Sequence, residues 1–291
     1  MSQPKATGLK YAYYPGCSLE ATAREYDMSV RAVCAHLGIE LSELPDWSCC
    51  GASSGHSTSR RLACTLAGRN LALAEGMDMD IAVACPACYI RLRKAHNELK
   101  NDENLREELS SVMKVPYRAE YGTRHLLDII CHEVGLDNLK NKVVKPLKGL
   151  KLVAYYGCYL VRPPEIVAFD DPENPQCLDA LLDTLGAEVR DWSGKVDCCG
   201  GSLSLSKREM ARQMVGGLTE MARWAGAEAI VAACPLCHAN LEMRQTGADS
   251  AKLPVFYFTE LIGLALGITE ARGWLKRHLV SPSGLLASHG L

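Results

Sequence analysis

Apolar and polar positions follow two rhythms along this chain, and the order in which the rhythms change occurs twice. Lys10 to Gly16 is a short aromatic and apolar run ending in Pro15-Gly16-Cys17, which predicts a buried strand stopping at Cys17. Glu20 to Leu37 places Val30, Val33, Cys34 and Leu37 at helical spacing, with Gly38 as the stop. Ile39 to Leu44 predicts a second strand, leading through Pro45-Asp46-Trp47 to Cys49. Ser57 to Glu75, with Leu62, Leu66 and Leu73, predicts a second helix, and Ile81-Ala82-Val83-Ala84 a third strand. Cys85-Pro86-Ala87-Cys88 then opens a helix running to about Lys100.

A linking region follows. Asn101 to Lys114 is charged and predicts a helix end or an exposed loop, and Thr123 to Val134 predicts a helix stopped by Gly135. Lys140 to Gly149, basic and containing Pro146, makes the natural boundary, so domains are expected over 1–148 and 149–291. The plan then recurs. Leu150 to Tyr156 is a strand, Phe169 to Gln176 an insertion with Pro172 and Pro175, and Gln176 to Leu185 a helix. Gly186 to Val189 matches Gly38 to Leu41, and Asp191-Trp192 matches Asp46-Trp47. Ser206 to Glu209 has the form of a capping box, Ile230 to Ala233 is the strand before Cys234, and Thr259 to Leu266 parallels the Thr123 helix. Ser281 to Leu291 has the look of a loose tail. Strand, helix, strand, helix, strand, helix implies parallel strands and right-handed crossovers. The expected class is α/β: two tandem repeats, each a small Rossmann-like parallel sheet flanked by helices, related by a pseudo-twofold.

Composition narrows the functions open to such a fold. A net charge of -2 over 291 residues gives no case for nucleic acid or an anionic membrane surface. Met1 to Lys10 lacks the apolar run of a signal peptide, and no run of about 18 apolar residues exists to span a bilayer. The expectation is a cytoplasmic chain. Its 14 cysteines are then thiols or metal thiolates rather than disulfides.

Ten of those cysteines fall into two matching sets. The pairs Cys49-Cys50 and Cys198-Cys199, each leading into a glycine (Gly51, Gly200), are followed by 34 residues and a CxxC pair, Cys85 with Cys88 and Cys234 with Cys237. Upstream of each adjacent pair, one more cysteine ends an aromatic run: Cys17 after Tyr13-Tyr14, Cys158 after Tyr155-Tyr156. Every one follows a predicted strand, at the sheet edge where loops converge and helix N-termini point. Zinc takes four ligands at a structural site. Here each set offers five, all thiols, and adjacent cysteines diverge in a way that suits two metal atoms better than one. An iron–sulfur cluster accepts such a set, although the compact ferredoxin spacing is absent.

The two-copy CCG…CxxC unit, spanning Tyr11 to about Leu266, resembles the cysteine-rich CCG domain of the heterodisulfide reductase B-subunit family. The resemblance implies two noncubane 4Fe-4S clusters. Cys17, Cys49, Cys50, Cys85 and Cys88 would hold one, and Cys158, Cys198, Cys199, Cys234 and Cys237 the other. It further implies reduction of a small disulfide substrate to two thiols, one substrate sulfur going to each cluster, in an anaerobic metabolism. The implied partners are a ferredoxin-like iron–sulfur protein of the C type and a flavoprotein of the A type, in the lettering of that family's complexes. The competing reading is an electron-transfer subunit of a quinone-, lactate- or succinate-linked oxidoreductase. A zinc-stabilised scaffold is the third.

Other residues are less decided by their pattern. His56 and His238, near the cysteine motifs, are candidate proton donors or ordinary polar residues beside a loop. Arg60, Arg61, Lys207 and Arg208 open the helices after the CCG loops and could hold an anionic substrate or simply face solvent. Trp47 and Trp192 are expected to shield the clusters or pack the repeats. Cys34, Cys64, Cys131 and Cys177 have no matched partners and read as core residues.

Overall fold

The apolar runs form two parallel sheets of the same design. This computed structural model describes residues 8–52, 54–246 and 252–291. In the first repeat β1 (Leu9–Tyr14) lies between β2 (Ile39–Glu43) and β3 (Ile81–Val83), and β4 (Thr123–His125) pairs on the far side of β3. The second repeat has β5 (Lys151–Tyr155), β6 (Glu188–Val189), β7 (Ala229–Ala232) and β8 (Val255–Tyr257) in the order β6-β5-β7-β8. All pairings are parallel. The direction of winding reverses between β1 and β3, and between β5 and β7. At such a reversal the connections leave a crevice beyond the strand ends. Cys17 and Cys85, and in the second repeat Cys158 and Cys234, follow the strands that flank it.

Several elements depart from the sequence-based expectation. Each sheet has a fourth strand, because Thr123 to His125 is strand before the chain turns helical at Leu126, and Val255 to Tyr257 likewise precedes the Phe258–Ala265 helix. Three residues are too few to show a period of two. Glu103–Met113 is a true helix: Asp102 caps it by accepting from the Leu105 N–H at 3.0 Å, and Leu109 and Met113 are buried. No capping box forms at Ser206. The helix there is Arg208–Trp224, with Lys207 at its N-cap and no side-chain cap. The tail is ordered as well, with a Ser283–Ser288 helix, a buried Leu286 and an ion pair from His289 to Glu228 at 3.2 Å.

The repeats share a continuous core. The Arg24–Leu37 helix of the first lies against Phe258–Ala265 of the second, where the Ser29 and Thr259 hydroxyls meet at 2.6 Å. Tyr26, fully buried, stacks on Tyr257 with ring centroids 3.9 Å apart. Its hydroxyl donates to the Ala84 carbonyl at 3.1 Å and the Ala233 carbonyl at 3.2 Å. Those carbonyls occupy matched positions, each immediately before the first cysteine of a CxxC pair. The ends of β3 and β7 therefore face each other across the pseudo-twofold.

Candidate metal centre

Each cysteine set is assembled around a tyrosine at the end of the leading strand. The Tyr14 hydroxyl donates to the Ser48 carbonyl at 2.8 Å, and the matched Tyr155 hydroxyl donates to the Asp197 carbonyl at 2.7 Å. These carbonyls belong to the residues just before Cys49 and Cys198, so each tyrosine ties a CCG loop to the strand. Burial, and then the nearby Cys88, Cys50, Cys49 and Cys17, keep Tyr14 protonated; burial and Cys237, Cys199, Cys158 and Cys198 do the same for Tyr155. Asparagines complete the fastening. Asn70 holds Ser48 from both sides at 2.9 Å, and Asn240 donates to the Cys199 carbonyl at 2.5 Å. Trp47 packs edge-on to Tyr14 at 5.4 Å, and Trp192 lies 6.1 Å from Tyr155 while donating to the Ala154 carbonyl.

Two glycine positions make room for the sulfurs. Gly16 and Gly157 have φ of +69° and +65°, and a Cβ there would lie 3.0 Å from Cys88 Sγ and 3.4 Å from Cys237 Sγ. Only glycine takes that backbone turn freely while leaving the sulfur its space.

The thiols converge within each set. Cys50 and Cys88 have their sulfurs 3.4 Å apart, and Cys199 and Cys237 theirs 3.5 Å apart. The open side is lined by the leading cysteine and the first of the CCG pair. Cys17, Cys49 and Cys198 are exposed and Cys158 half-buried, whereas Cys50, Cys85, Cys88, Cys199 and Cys234 are buried. Cys85 of the first set and Cys234 of the second lie near enough for each to shift the other's ionisation. The two sets thus approach each other at matched residues, just after the Ala84 and Ala233 carbonyls that share the Tyr26 hydroxyl.

Proton sharing among these thiols divides them, drawing Cys50, Cys85, Cys198 and Cys199 toward thiolate while Cys49, Cys88, Cys158, Cys234 and Cys237 are held as thiols. Hydrogen bonds from Cys49 and then Cys88 draw Cys50 down to about 3, while Cys49 moves upward as the donor. In the second set a hydrogen bond from Cys158 draws Cys198 down to about 6, and one from Cys237 lowers Cys199. The thiolate is the form that binds metal.

The histidines lie apart in character. His56 is exposed on the Gly55–Thr58 turn, beside a cleft of about 220 Å³ shared with Arg60, Cys64, Arg91, Lys94 and Glu98. His238 is buried and stacked on Tyr257, and burial pulls it down to about 4, so it is neutral at pH 7. Arg60 pairs with Glu98 at 2.8 Å and Arg61 with Glu108, while Lys207 and Arg208 are exposed. Of the unmatched cysteines, Cys34 and Cys64 are buried, and Cys64 Sγ meets Glu98 at 3.1 Å. The Cys131 thiol donates to the Cys177 carbonyl at 3.5 Å, across the repeats. Sequence reasoning misses Tyr14, Tyr155, Asn70 and Asn240 as site residues. The tyrosines' place just upstream of Cys17 and Cys158 is the signal that could have found them.

The cysteine-rich CCG domain family matches residues 11–93 and 152–242, one stretch in each repeat. The chain belongs to this family. It is similar to the 8-methylmenaquinol:fumarate reductase membrane anchor subunit of Wolinella succinogenes, 31% identical over 284 residues, covering 95% of this chain and 99% of that protein. It is also similar to the B subunit of the ferredoxin:CoB-CoM heterodisulfide reductase of Methanosarcina mazei, 28% identical over 289 residues and 96% of each protein. A solved structure of a hypothetical protein from Helicobacter pylori superposes with a TM-score of 0.73 at 13% identity, over 95% of this chain and 53% of that one. That likeness shows the fold. No helix among the described residues is long and apolar enough to cross a membrane.

The residues present fit an iron–sulfur cluster. Each set is all sulfur, five thiols are gathered beyond one sheet edge, and several are already biased toward thiolate. Five thiols rather than four favour an iron–sulfur cluster over a four-coordinate zinc site.

Proposed function

We propose that this chain is the iron–sulfur subunit of a reductase complex, holding two noncubane 4Fe-4S clusters that reduce a disulfide to two thiols. The observation that carries the reading is the Tyr26 hydroxyl, which bonds the Ala84 and Ala233 carbonyls at 3.1 and 3.2 Å and so sets Cys85 and Cys234, and with them two complete five-cysteine sets, close together at matched residues. A relay along a single path has no need of two equivalent centres meeting on a twofold. Cys17, Cys49, Cys50, Cys85 and Cys88 would hold the first cluster, and Cys158, Cys198, Cys199, Cys234 and Cys237 the second. When bound, the clusters supply one electron each and iron to stabilise the product thiolates.

The chain's own residues set the conditions around that step. Cleavage of R–S–S–R′ takes two electrons and two protons and leaves two thiols. Cys17, Cys49 and Cys198 mark the solvent side from which a small disulfide approaches. Arg91 and Lys94 bring positive charge to the neighbouring cleft, where Arg60 is paired with Glu98, and could meet an anionic substrate end. His56, exposed there, is the better placed proton donor, since His238 carries no imidazolium proton at neutral pH. The domains are 1–148 and 149–291, with electrons arriving through a ferredoxin-like protein of the C type fed by a flavoprotein of the A type, in the cytoplasm of a cell with anaerobic metabolism.

A second reading is favoured by the 31% identity with the Wolinella succinogenes protein over nearly the whole chain. In it the centres pass electrons between a quinol-linked enzyme and its partner, and no disulfide is bound. One experiment separates the two. Anaerobically purified protein should contain about eight irons and eight sulfides per chain. Cys17→Ser and Cys158→Ser variants, each retaining one cluster, should both lose disulfide reduction entirely. Substantial disulfide turnover with one cluster would reject the paired mechanism. Protein with zinc in place of iron, and no acid-labile sulfide, would reject the clusters themselves.

A further inference from the structure

We propose that His238, Glu242 and His278 form a site for one divalent metal ion of the zinc class, behind the second cysteine set and separate from it. Each offers one ligand atom, and the three atoms lie within 4.8 Å of one another. His238 and Glu242 stand four residues apart on the Pro235–Arg244 helix, and so on one face of it. His278 arrives from the opposite direction, just after the Leu275–Arg277 turn. Two imidazoles and a carboxylate are a donor set that zinc takes readily.

Three observations point to an ion. The first is His238 Nε2, which is buried with no hydrogen-bond partner, in a residue only 5% exposed. A buried ring nitrogen left so needs a reason. The ring is also held in plane by its stack on Tyr257, with centroids 4.0 Å apart and planes 10° from parallel.

The second is the arrangement of the surrounding polar atoms. Glu242 Oε2 accepts from the Leu279 N–H at 2.8 Å, which leaves Oε1, 3.1 Å from His278 Nδ1, on the ligand side. The other nitrogen, His278 Nε2, faces Glu260 Oε1 at 2.9 Å. A carboxylate behind a histidine is the outer support that metal-bound imidazoles commonly have.

The third is charge. The side chains of Glu242, Glu260 and His278 are 3%, 0% and 0% exposed. Without an ion, burial pulls His278 down but its hydrogen bonds to Glu242 and Glu260 raise it to about 10, so one positive charge faces two buried carboxylates. A divalent ion held by neutral imidazoles cancels both, which lowers the penalty for burying them. Among the described residues repeat one has no counterpart. Its matched positions hold Tyr89 and Arg93, and Arg93 donates to the Ile166 carbonyl at 2.6 Å. The ion would fasten the segment around His278 to the helix whose first turn carries Cys237.

The test measures zinc and iron together in the anaerobically purified full chain, with X-ray absorption at the zinc edge. The expected result is about one zinc per chain alongside full iron, with nitrogen and oxygen neighbours at about 2.0–2.1 Å and no sulfur shell at about 2.3 Å. Glu242→Gln and His278→Gln should lose the zinc and keep the iron. Glu260→Gln should weaken zinc binding by about 10–100-fold in chelator competition. The site is rejected if iron-replete wild-type protein neither retains zinc nor takes it up from a zinc buffer, or if its zinc shows a sulfur shell. It is equally rejected if Glu242→Gln binds zinc as tightly as wild type. Should His278→Gln fail to fold, the wild-type uptake and absorption measurements still decide.

Discussion

Tyr14 and Tyr155 show how much a single residue settles here. Each lies among the thiols of its set, yet what it does is mechanical: one hydroxyl holds the carbonyl that leads into a CCG loop. Tyr14→Phe and Tyr155→Phe should each cost about 1 kcal/mol in denaturant unfolding, the net worth of one hydrogen bond. Each should also speed cluster loss to a chelator from its own repeat alone, and equal loss from both repeats would contradict the pairing of tyrosine to set. Cys34 and Cys64 behave in the opposite way. Burial pushes both up to about 12, with Glu98 adding to it for Cys64. In folded protein at about pH 8 both should stay unmodified by iodoacetamide, because the thiolate is the reactive form. Peptide mass mapping reads this directly, and rapid labelling of Cys34 would show that its environment is more open than the packing implies.

At the scale of the element, the helices after the cysteine loops differ in how they begin. Ser59 caps Arg60–Glu75 by accepting from the Leu62 N–H at 3.3 Å, whereas Ser206 caps nothing. Ser59→Ala should therefore destabilise the chain by about 1 kcal/mol. Ser206→Ala should stay within about 0.5 kcal/mol of wild type, although the sequence around Ser206 has the better capping pattern. Thermal unfolding of the two variants makes the comparison, and equal losses would mean that the box at Ser206 does form. The CxxC helices share a different start. Pro86 and Pro235 occupy the first helical turn with Cys85 and Cys234 as N-caps, so the free N–H groups of both helices gather where the thiolates lie.

In the molecule as a whole the two repeats share a core, and one hydroxyl in it bonds to both sheets. Tyr26 comes from the first repeat and satisfies both the Ala84 and the Ala233 carbonyls, immediately before Cys85 and Cys234. Tyr26→Phe would remove the donor shared by the two carbonyls while His125 Nε2 still reaches Ala84 at 3.1 Å, at a cost of about 1 kcal/mol. Because the core runs through both repeats, unfolding should remain a single transition at lower denaturant. Two separated transitions in wild-type protein would show instead that the repeats are independent units.

The sequence by itself determined the duplication, the ten matched cysteines and the three leading strands of each repeat. Those features are local or periodic: a strand run such as Lys10 to Gly16 and a CxxC before a helix each carry their signal within a few residues. It also led to the right family through the repeated CCG unit. The fourth strands escaped it because Thr123–His125 and Val255–Tyr257 are strands only by virtue of pairing with β3 and β7. Asn101 to Lys114 reads as charged surface, since only packing shows that Leu109 and Met113 face a core. The contacts that matter most for function were the least legible. Cys85 lies near Cys234, Tyr26 reaches Ala233, and His278 reaches Glu242 over sequence separations that no window of local pattern can span. Tertiary structure alone decided them, because they depend on how the second sheet is placed against the first.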